Sequence, residues 1–204
     1  MSMASVMVSP EGGGRLVRID PGVREANTAW VGMVIFLGSW TVMFAALFFS
    51  YGLLRVDSPV WPPDGYARLP LMLPAANTVV LLLSSIALQG GLRAVRANKP
   101  LFPWLMTALS LGAVFLVLQG IVWHSLWTEG FVTASGRYGS VFYLLTSFHA
   151  LHVLVGLGFL LWLVPRSLQS TYTPRDHSPV RLTAMFWHFV DIVWIVMFVT
   201  VYVL

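Results

Sequence analysis

The sequence contains no cysteine and very little charge. Without cysteine there can be no disulfide, no thiolate metal ligand and no cysteine nucleophile. Charged residues make up only 10% of the chain, whereas an ordinary soluble domain carries about 25%. Hydrophobic residues make up 57%. The composition therefore predicts a protein that is built for a lipid environment.

The motifs of several self-contained catalysts are also absent. The sequence has no GxSxG nucleophile turn, no Walker phosphate-binding loop and no HExxH zinc motif, each of which places reactive groups at a fixed spacing. The 12 lysines and arginines exceed the 8 acids, but they lie in connecting segments, so membrane topology explains them better than nucleic-acid binding. The first 25 residues hold no long apolar run, and no cleaved signal peptide is expected.

Five apolar stretches dominate what is present, and each exceeds the roughly 20 residues that a helix needs to cross a bilayer. They cover residues 28–54, 70–92, 101–127, 139–164 and 181–204. We predict an all-α membrane protein in which residues 28–204 form a bundle of five transmembrane helices. Residues 1–27 are expected to form a polar cytoplasmic tail.

The basic residues predict an orientation, because cytoplasmic loops carry the excess of lysine and arginine. Nine of them fall on one side: Arg15, Arg18, Arg24, Arg93, Arg96, Lys99, Arg166, Arg175 and Arg181. Only Arg55, Arg68 and Arg137 fall on the other. The N-terminus is therefore predicted to be cytoplasmic and the C-terminus to lie outside.

The last span carries two polar groups that need an explanation. His188 and Asp191, three residues apart, are its only histidine and its only acid between Thr183 and Leu204. A charge near the middle of a bilayer costs at least ~2.5–3.5 kcal/mol. Some partner must offset that cost.

Other polar side chains in the spans are candidate partners. His149 and His152 lie three residues apart and so share a helical face, and Gln119 and Asn77 occupy neighbouring spans. Three explanations remain open. His188 or another donor could hydrogen-bond Asp191 and join helices, the histidines and Asp191 could relay protons, or His149 opposite His188 could hold a haem or metal.

No carboxylate-rich cluster completes a metal site in the sequence, since Asp191 is the one acid placed well inside a span. We therefore expect neither catalytic residues nor a metal or other cofactor in this chain, and treat the polar residues as buried structural groups. Trp30, Trp61 and Arg68 lie near span ends, which suggests contact with lipid.

Small residues within the spans are expected to let helices approach closely. The candidates are Ser84, Ser85, Gly112, Gly120, Gly156 and Gly158.

Two motifs resemble a known family. Residues 138–156 read YGSVFYLLTSFHALHVLVG and residues 186–194 read FWHFVDIVW. Both resemble subunit III of haem–copper terminal oxidases, and residues 36–51, 61–63 and 73–85 are similar to its other conserved segments. The resemblance covers residues 28–204, and five spans match the short bacterial form of the subunit.

This resemblance implies a non-catalytic, lipid-binding subunit of an aerobic respiratory oxidase such as cytochrome c oxidase, in a bacterial inner membrane. It implies that subunit I is the main contact and subunit II a further partner, that haem and copper reside in those partners, and that a structural phospholipid is bound. Stabilisation of subunit I and support of proton uptake would be its role. A quinol oxidase subunit III and a nitric oxide reductase accessory subunit are the near alternatives, and a membrane transporter or proton channel is the alternative of another class.

The chain departs from the pattern that the resemblance implies at two positions. Trp40 and Val122 stand where the family usually has buried acids. Because the first acid is expected to bond the histidines of the fourth span, His149 and His152 must here find other partners, such as Thr146, water or lipid.

Overall fold

A computed structural model describes residues 6–7, 17–18, 21–59, 69–169, 172–174 and 176–203. Near the N-terminus, β1 (Val6–Met7) and β2 (Val17–Arg18) form a short antiparallel pair. The remainder of the described chain is helical apart from its connections.

Five long helices confirm the predicted fold class. They are α1 (Pro21–Val56), α2 (Met72–Arg96), α3 (Phe102–Thr128), α4 (Gly136–Leu168) and α5 (Ser178–Met197). A π-helical turn, Phe198–Val203, extends α5. Each of the five is long and apolar enough to cross a membrane.

The first and fourth helices are longer than the apolar stretches that predict them. α1 begins at Pro21, seven residues before the predicted span, and proline suits a first helical position because its missing N–H would have no partner there. α4 continues past Pro165 to Leu168. Pro165 removes only its own N–H from the backbone hydrogen bonds of the helix. The helix therefore continues beyond the predicted end at residue 164.

The arrangement is a four-helix bundle with one helix outside it. Contacts run from α2 to α3, from α3 to α4, from α4 to α5 and from α5 back to α2. α1 packs mainly on α5 and α4. Only 6% of the apolar window of α1 is buried, against 33–50% for the other four helices. Most of α1 therefore presents apolar side chains to its surroundings.

Trp187 of α5 lies at the centre of the bundle, 1% exposed. A Cβ atom added to Gly112 of α3 would lie 2.8 Å from its ring, and one added to Gly156 of α4 would lie 2.7 Å from it. The indole therefore occupies a notch between two helices that only glycine leaves open. Gly112 and Gly156 are confirmed as close-approach positions.

The prediction of close helix approach is wrong at two of the glycines. Neither Gly120 nor Gly158 has a neighbour within 4 Å of an added Cβ. Composition marks a residue as small, but the rotation of its helix decides which way it faces. Among the contacts that the sequence did not predict is one at Gly90 of α2, where the ring of Trp104 lies 2.6 Å from an added Cβ.

We predict that Gly112→Ala destabilises the bundle by about 1–3 kcal/mol, because the methyl group would overlap Trp187 and Leu157. Gly120→Ala is the matched control on the same helix, where the space is open. Thermal unfolding of the detergent-solubilised protein measures both. Equal stability of the two variants would contradict the glycine notch.

Candidate functional site: a buried polar seam between two helices

A line of polar contacts joins α2 to α5. It is formed by hydrogen bonds of Thr78, Ser85 and Gln89 of α2 with His188 and Trp194 of α5, and we call these five residues, together with the buried Asp191 of α5, the polar seam. The residues recur at intervals of three, four or seven on each helix, which keeps them on one face. At one end of the seam the Trp194 indole N–H donates to Thr78 Oγ1 at 2.9 Å.

His188 contacts α2 through both ring nitrogens. Its Nδ1 lies 2.7 Å from Ser85 Oγ and its Nε2 lies 3.1 Å from Gln89 Oε1. Because the imidazole uses both nitrogens for α2, the direct hydrogen bond from His188 to Asp191 that the sequence suggested does not form.

Asp191 is buried, with only 5% of its surface exposed. Its Oδ1 has no hydrogen-bond partner among the described residues. Ser85, which bonds His188, is also buried. Asp191 and His188 are three residues apart and therefore share one face of α5.

The two histidines of α4 have different surroundings although they are only three residues apart. His149 lies between Phe115 of α3, with ring centroids 6.0 Å apart, and Trp194 of α5, at 5.2 Å. His152 instead faces α1, where Trp40 is edge-on at 4.2 Å between ring centroids. Three helical residues turn by about 300°, so the second ring points 60° away from the first.

Trp40 therefore contacts the very histidine that an acid at this position is expected to bond. The nearby rings of Phe44 and Phe148 complete an aromatic surround, at 5.1 and 5.0 Å from His152. The polar bond of His152 goes to its own helix, since Nδ1 lies 2.7 Å from the Phe148 carbonyl oxygen. An aromatic contact thus occupies the position where the resemblance implies an acid.

The expectation that Thr146 serves these histidines is wrong. Thr146 Oγ1 accepts from the Trp123 indole at 3.2 Å and donates to the Phe142 carbonyl at 2.9 Å. Both ring nitrogens of His149 are buried without a hydrogen-bond partner among the described residues. Val122, at the other position where an acid is expected, is buried at 1% exposure.

The two predicted amides are fully enclosed. Asn77 is 0% exposed and its Nδ2 donates to the Phe115 carbonyl at 3.2 Å, which ties α2 to α3. Gln119 is 1% exposed, and neither its Nε2 nor its Oε1 has a hydrogen-bond partner among the described residues. On the same α2–α3 contact as Asn77, Ser84 Oγ donates to the Ala108 carbonyl at 2.8 Å. Asn77 and Ser84 thus join α2 to α3.

The structure describes one of the three candidate lipid contacts. Trp30 is 39% exposed near the start of α1, and the guanidinium of Arg181 lies 6.0 Å from its ring centroid. Trp61 and Arg68 lie outside the described residues.

The geometry does not assemble the haem-ligand pair that the sequence left open. His188 directs both nitrogens toward α2, while His149 is enclosed by Phe115 and Trp194. Within the part of the chain that the structure describes, no three side chains among His, Cys, Asp and Glu come together as a metal site would require.

Sequence reasoning identified His188 and Asp191 but missed their partners. It treated Ser85 only as a small packing residue and did not single out Gln89 or Trp194. The spacing of Ser85 and Gln89, four residues apart in a predicted span, was the available signal, because such a pair shares a helical face.

Comparison with known proteins assigns the architecture to a family. The family model for cytochrome c oxidase subunit III matches residues 23–204. The chain belongs to the cytochrome c oxidase subunit III family. It is 38% identical to cytochrome c oxidase subunit 3 of Synechocystis sp. over 85% of the chain and 74% of that protein. It is 32% identical to the subunit 3 of Thermostichus vulcanus, over 95% and 96% respectively.

Family membership carries two further conclusions. A probable cytochrome c oxidase subunit 3 from Nocardia farcinica is 38% identical over 88% of the chain and 90% of that protein, so the similarity extends through the bundle. The chain is a multi-pass membrane subunit of a haem–copper oxidase, an oxidoreductase complex, and other oxidase subunits are its partners.

We predict opposite outcomes for two histidine variants. His188→Leu leaves Ser85 and Gln89 without their partner and is expected to cost about 1–3 kcal/mol for each group left unpaired. His149→Leu removes two nitrogens that have no partner among the described residues, so it is expected to be neutral or mildly stabilising. Thermal unfolding of both variants measures the difference, and a large loss for His149→Leu would reveal a bond that the contacts above do not include.

Proposed function

We propose that this chain is a non-catalytic, lipid-binding structural subunit of an aerobic respiratory cytochrome c oxidase, where it stabilises subunit I and supports proton uptake. The observation that carries the proposal is that the polar groups face other helices of this chain, whereas a long apolar surface faces outward. The hydrogen bonds of the polar seam join helices of this chain to each other, while the long apolar face of α1 is left uncovered.

The uncovered face requires apolar neighbours. Side chains along α1 such as Ile35, Val42 and Phe49 are 65–71% exposed. In a bilayer such a face is covered either by lipid tails or by a neighbouring subunit, because both are as apolar as the helix itself. Subunit I is the main neighbour that we propose, with subunit II as a further partner.

The names of the relatives bear on the electron donor. The proteins of Synechocystis, Thermostichus vulcanus and Nocardia farcinica are all named as cytochrome c oxidase subunits. This favours cytochrome c over quinol as the donor and an oxidase over a nitric oxide reductase. A bacterial inner membrane is the location that we propose. In this proposal haem and copper reside in the partner subunits, and the chain acts through packing and bound phospholipid.

A groove at one end of the molecule supports lipid binding. A cavity of about 880 Å³ lies between the end of α1 and the start of α4. Leu53 and Leu54 are among its apolar lining residues, whereas Asp57, Arg137 and Ser140 are among its polar ones. An acyl chain fits the apolar part, and a phosphate-bearing headgroup is matched by the guanidinium. Trp30 remains a candidate lipid contact at the opposite end of α1.

The test of the function is purification of the complex through an affinity tag on this chain in mild detergent. We expect haem-bearing subunits to co-purify, together with tightly held phospholipid. Arg137→Gln should lower the amount of retained phospholipid without loss of haem, and Arg24→Gln is the control because Arg24 is exposed at the far end of α1.

The two readouts separate the two parts of the proposal. Absence of haem from the purified material would overturn the assignment to the oxidase. Unchanged phospholipid in Arg137→Gln would overturn the groove as a lipid site while leaving the subunit assignment intact. Transport activity by the chain alone in liposomes would support the transporter class instead.

Orientation is a separate part of the proposal, with the N-terminus cytoplasmic and the C-terminus outside. Because the chain has no cysteine, single-cysteine variants report topology without background labelling. Thr133→Cys, in the exposed α3–α4 connection, should react with a membrane-impermeant maleimide added outside intact cells. Lys99→Cys, in the exposed α2–α3 connection, should react only after the membrane is opened. The reverse pattern would invert the topology.

A further inference from the structure

The hydroxyl groups on the exposed face of α1 are satisfied within that helix. Ser39, Thr41 and Ser50 each donate to the backbone carbonyl four residues earlier, at 2.8–3.1 Å. A hydroxyl group that bonds its own helix has no proton left for a neighbour. This face can therefore meet lipid tails without an unsatisfied donor.

The outer rim of the contact between α2 and α5 is different. There the half-buried Gln89 of α2 places its Oε1 3.1 Å from His188 Nε2. The same amide group carries two protons on its Nε2. That nitrogen has no hydrogen-bond partner within the described part of the chain, and it is not enclosed. Gln89 thus presents a free donor to whatever lies beside the chain.

The surface around this donor is apolar. Leu82 and Ile86 of α2 are 38% and 65% exposed, and Ile192 of α5, one turn beyond His188, is 60% exposed. The spacings of seven and three residues place Leu82 and Ile86 near Gln89 on one side of α2. We call Leu82, Ile86, Gln89 and Ile192 the α2–α5 face.

The donor lies at a depth where lipid offers no acceptor. Gln89 is about 10 Å from the end of α2 at Arg96, and its partner His188 is about 15 Å from the start of α5 at Ser178. The hydrocarbon core of a bilayer is about 30 Å thick, and the polar headgroups lie outside it. A polar group left unpaired in hydrocarbon costs several kcal/mol. Some group other than a lipid tail must therefore cover Gln89.

We propose that the α2–α5 face docks a transmembrane helix of the haem-bearing subunit, and that this helix supplies a hydrogen-bond acceptor to Gln89 Nε2. The inference rests on the proposed function, and it identifies which surface of the chain contacts that subunit. Leu82, Ile86 and Ile192 provide the packing surface on either side of the hydrogen bond. The face of α1 is then left to lipid.

A second copy of this chain fits the face less well. A symmetric dimer places the same surface on both sides of the contact, so each Gln89 amide would meet another free donor. The Gln89 oxygen of the second copy is already bonded to its own His188, and the leucine and isoleucines around it have no polar side-chain group. A different chain that presents a carbonyl or hydroxyl oxygen satisfies the donor.

Site-specific photocrosslinking in the membrane-embedded complex tests the face. Benzoylphenylalanine replaces Ile86 or Ile192 in one pair of variants, and Ile35 or Val42 on the exposed face of α1 in the control pair. We expect the first pair to form adducts with the haem-bearing subunit and the control pair to form adducts with lipid alone. Adducts from the first pair with lipid only, or with a second copy of this chain, would overturn the proposal. Absence of haem from the purified complex would instead overturn the proposed function, so the two failures are distinguishable.

A pair of variants isolates the hydrogen bond. Gln89→Leu and Ser85→Ala each remove one bond to His188, so the loss inside the chain is matched, but only Gln89→Leu removes the outward donor. Release of the chain from the haem-bearing subunit across a detergent series gives an apparent dissociation constant for each variant. We expect that of Gln89→Leu to be about 3- to 20-fold higher than that of Ser85→Ala, the range that one hydrogen bond in a membrane supports. Equal values would overturn the bond to the partner subunit.

Discussion

The bundle depends on the packing of Trp187 between Gly112 and Gly156. In a bilayer, burying apolar surface against another helix gains little over contact with lipid, so helices associate through close packing and hydrogen bonds. The large indole and the two glycines provide that packing where α3, α4 and α5 meet. The same contact brings α5 close enough to α2 for short side chains such as Ser85 to reach across.

The polar seam is the second consequence of this packing. Low dielectric strengthens each bond and raises the cost of each unpaired group, so His188 is accommodated in α5 because α2 presents Ser85 and Gln89 at matching positions. These partners bond His188 directly, in place of a direct pair with Asp191.

Much of the fold and part of the site could be predicted from the sequence. The five spans follow from hydropathy, which depends only on neighbours along the chain, and the cost of burying a charge singled out His188 and Asp191. Proline is tolerated in the first turn of a helix but is unfavourable in its interior. The start of α1 at Pro21 and the end of α4 beyond Pro165 were therefore less predictable. Gly120 and Gly158 were assigned to contacts that they do not make, because smallness does not reveal which way a helix is turned.

The sequence by itself determined that the chain crosses the membrane as five helices, that it carries a histidine and an acid that need partners, and which family its motifs resemble. The tertiary structure decided which partners those groups have. It separated His149 from His152, set Trp40 against His152, and placed Ser85 and Gln89 against His188. The physical reason is that membrane insertion depends on the composition of each segment, whereas a hydrogen bond between helices depends on how far each has rotated and shifted along its neighbour.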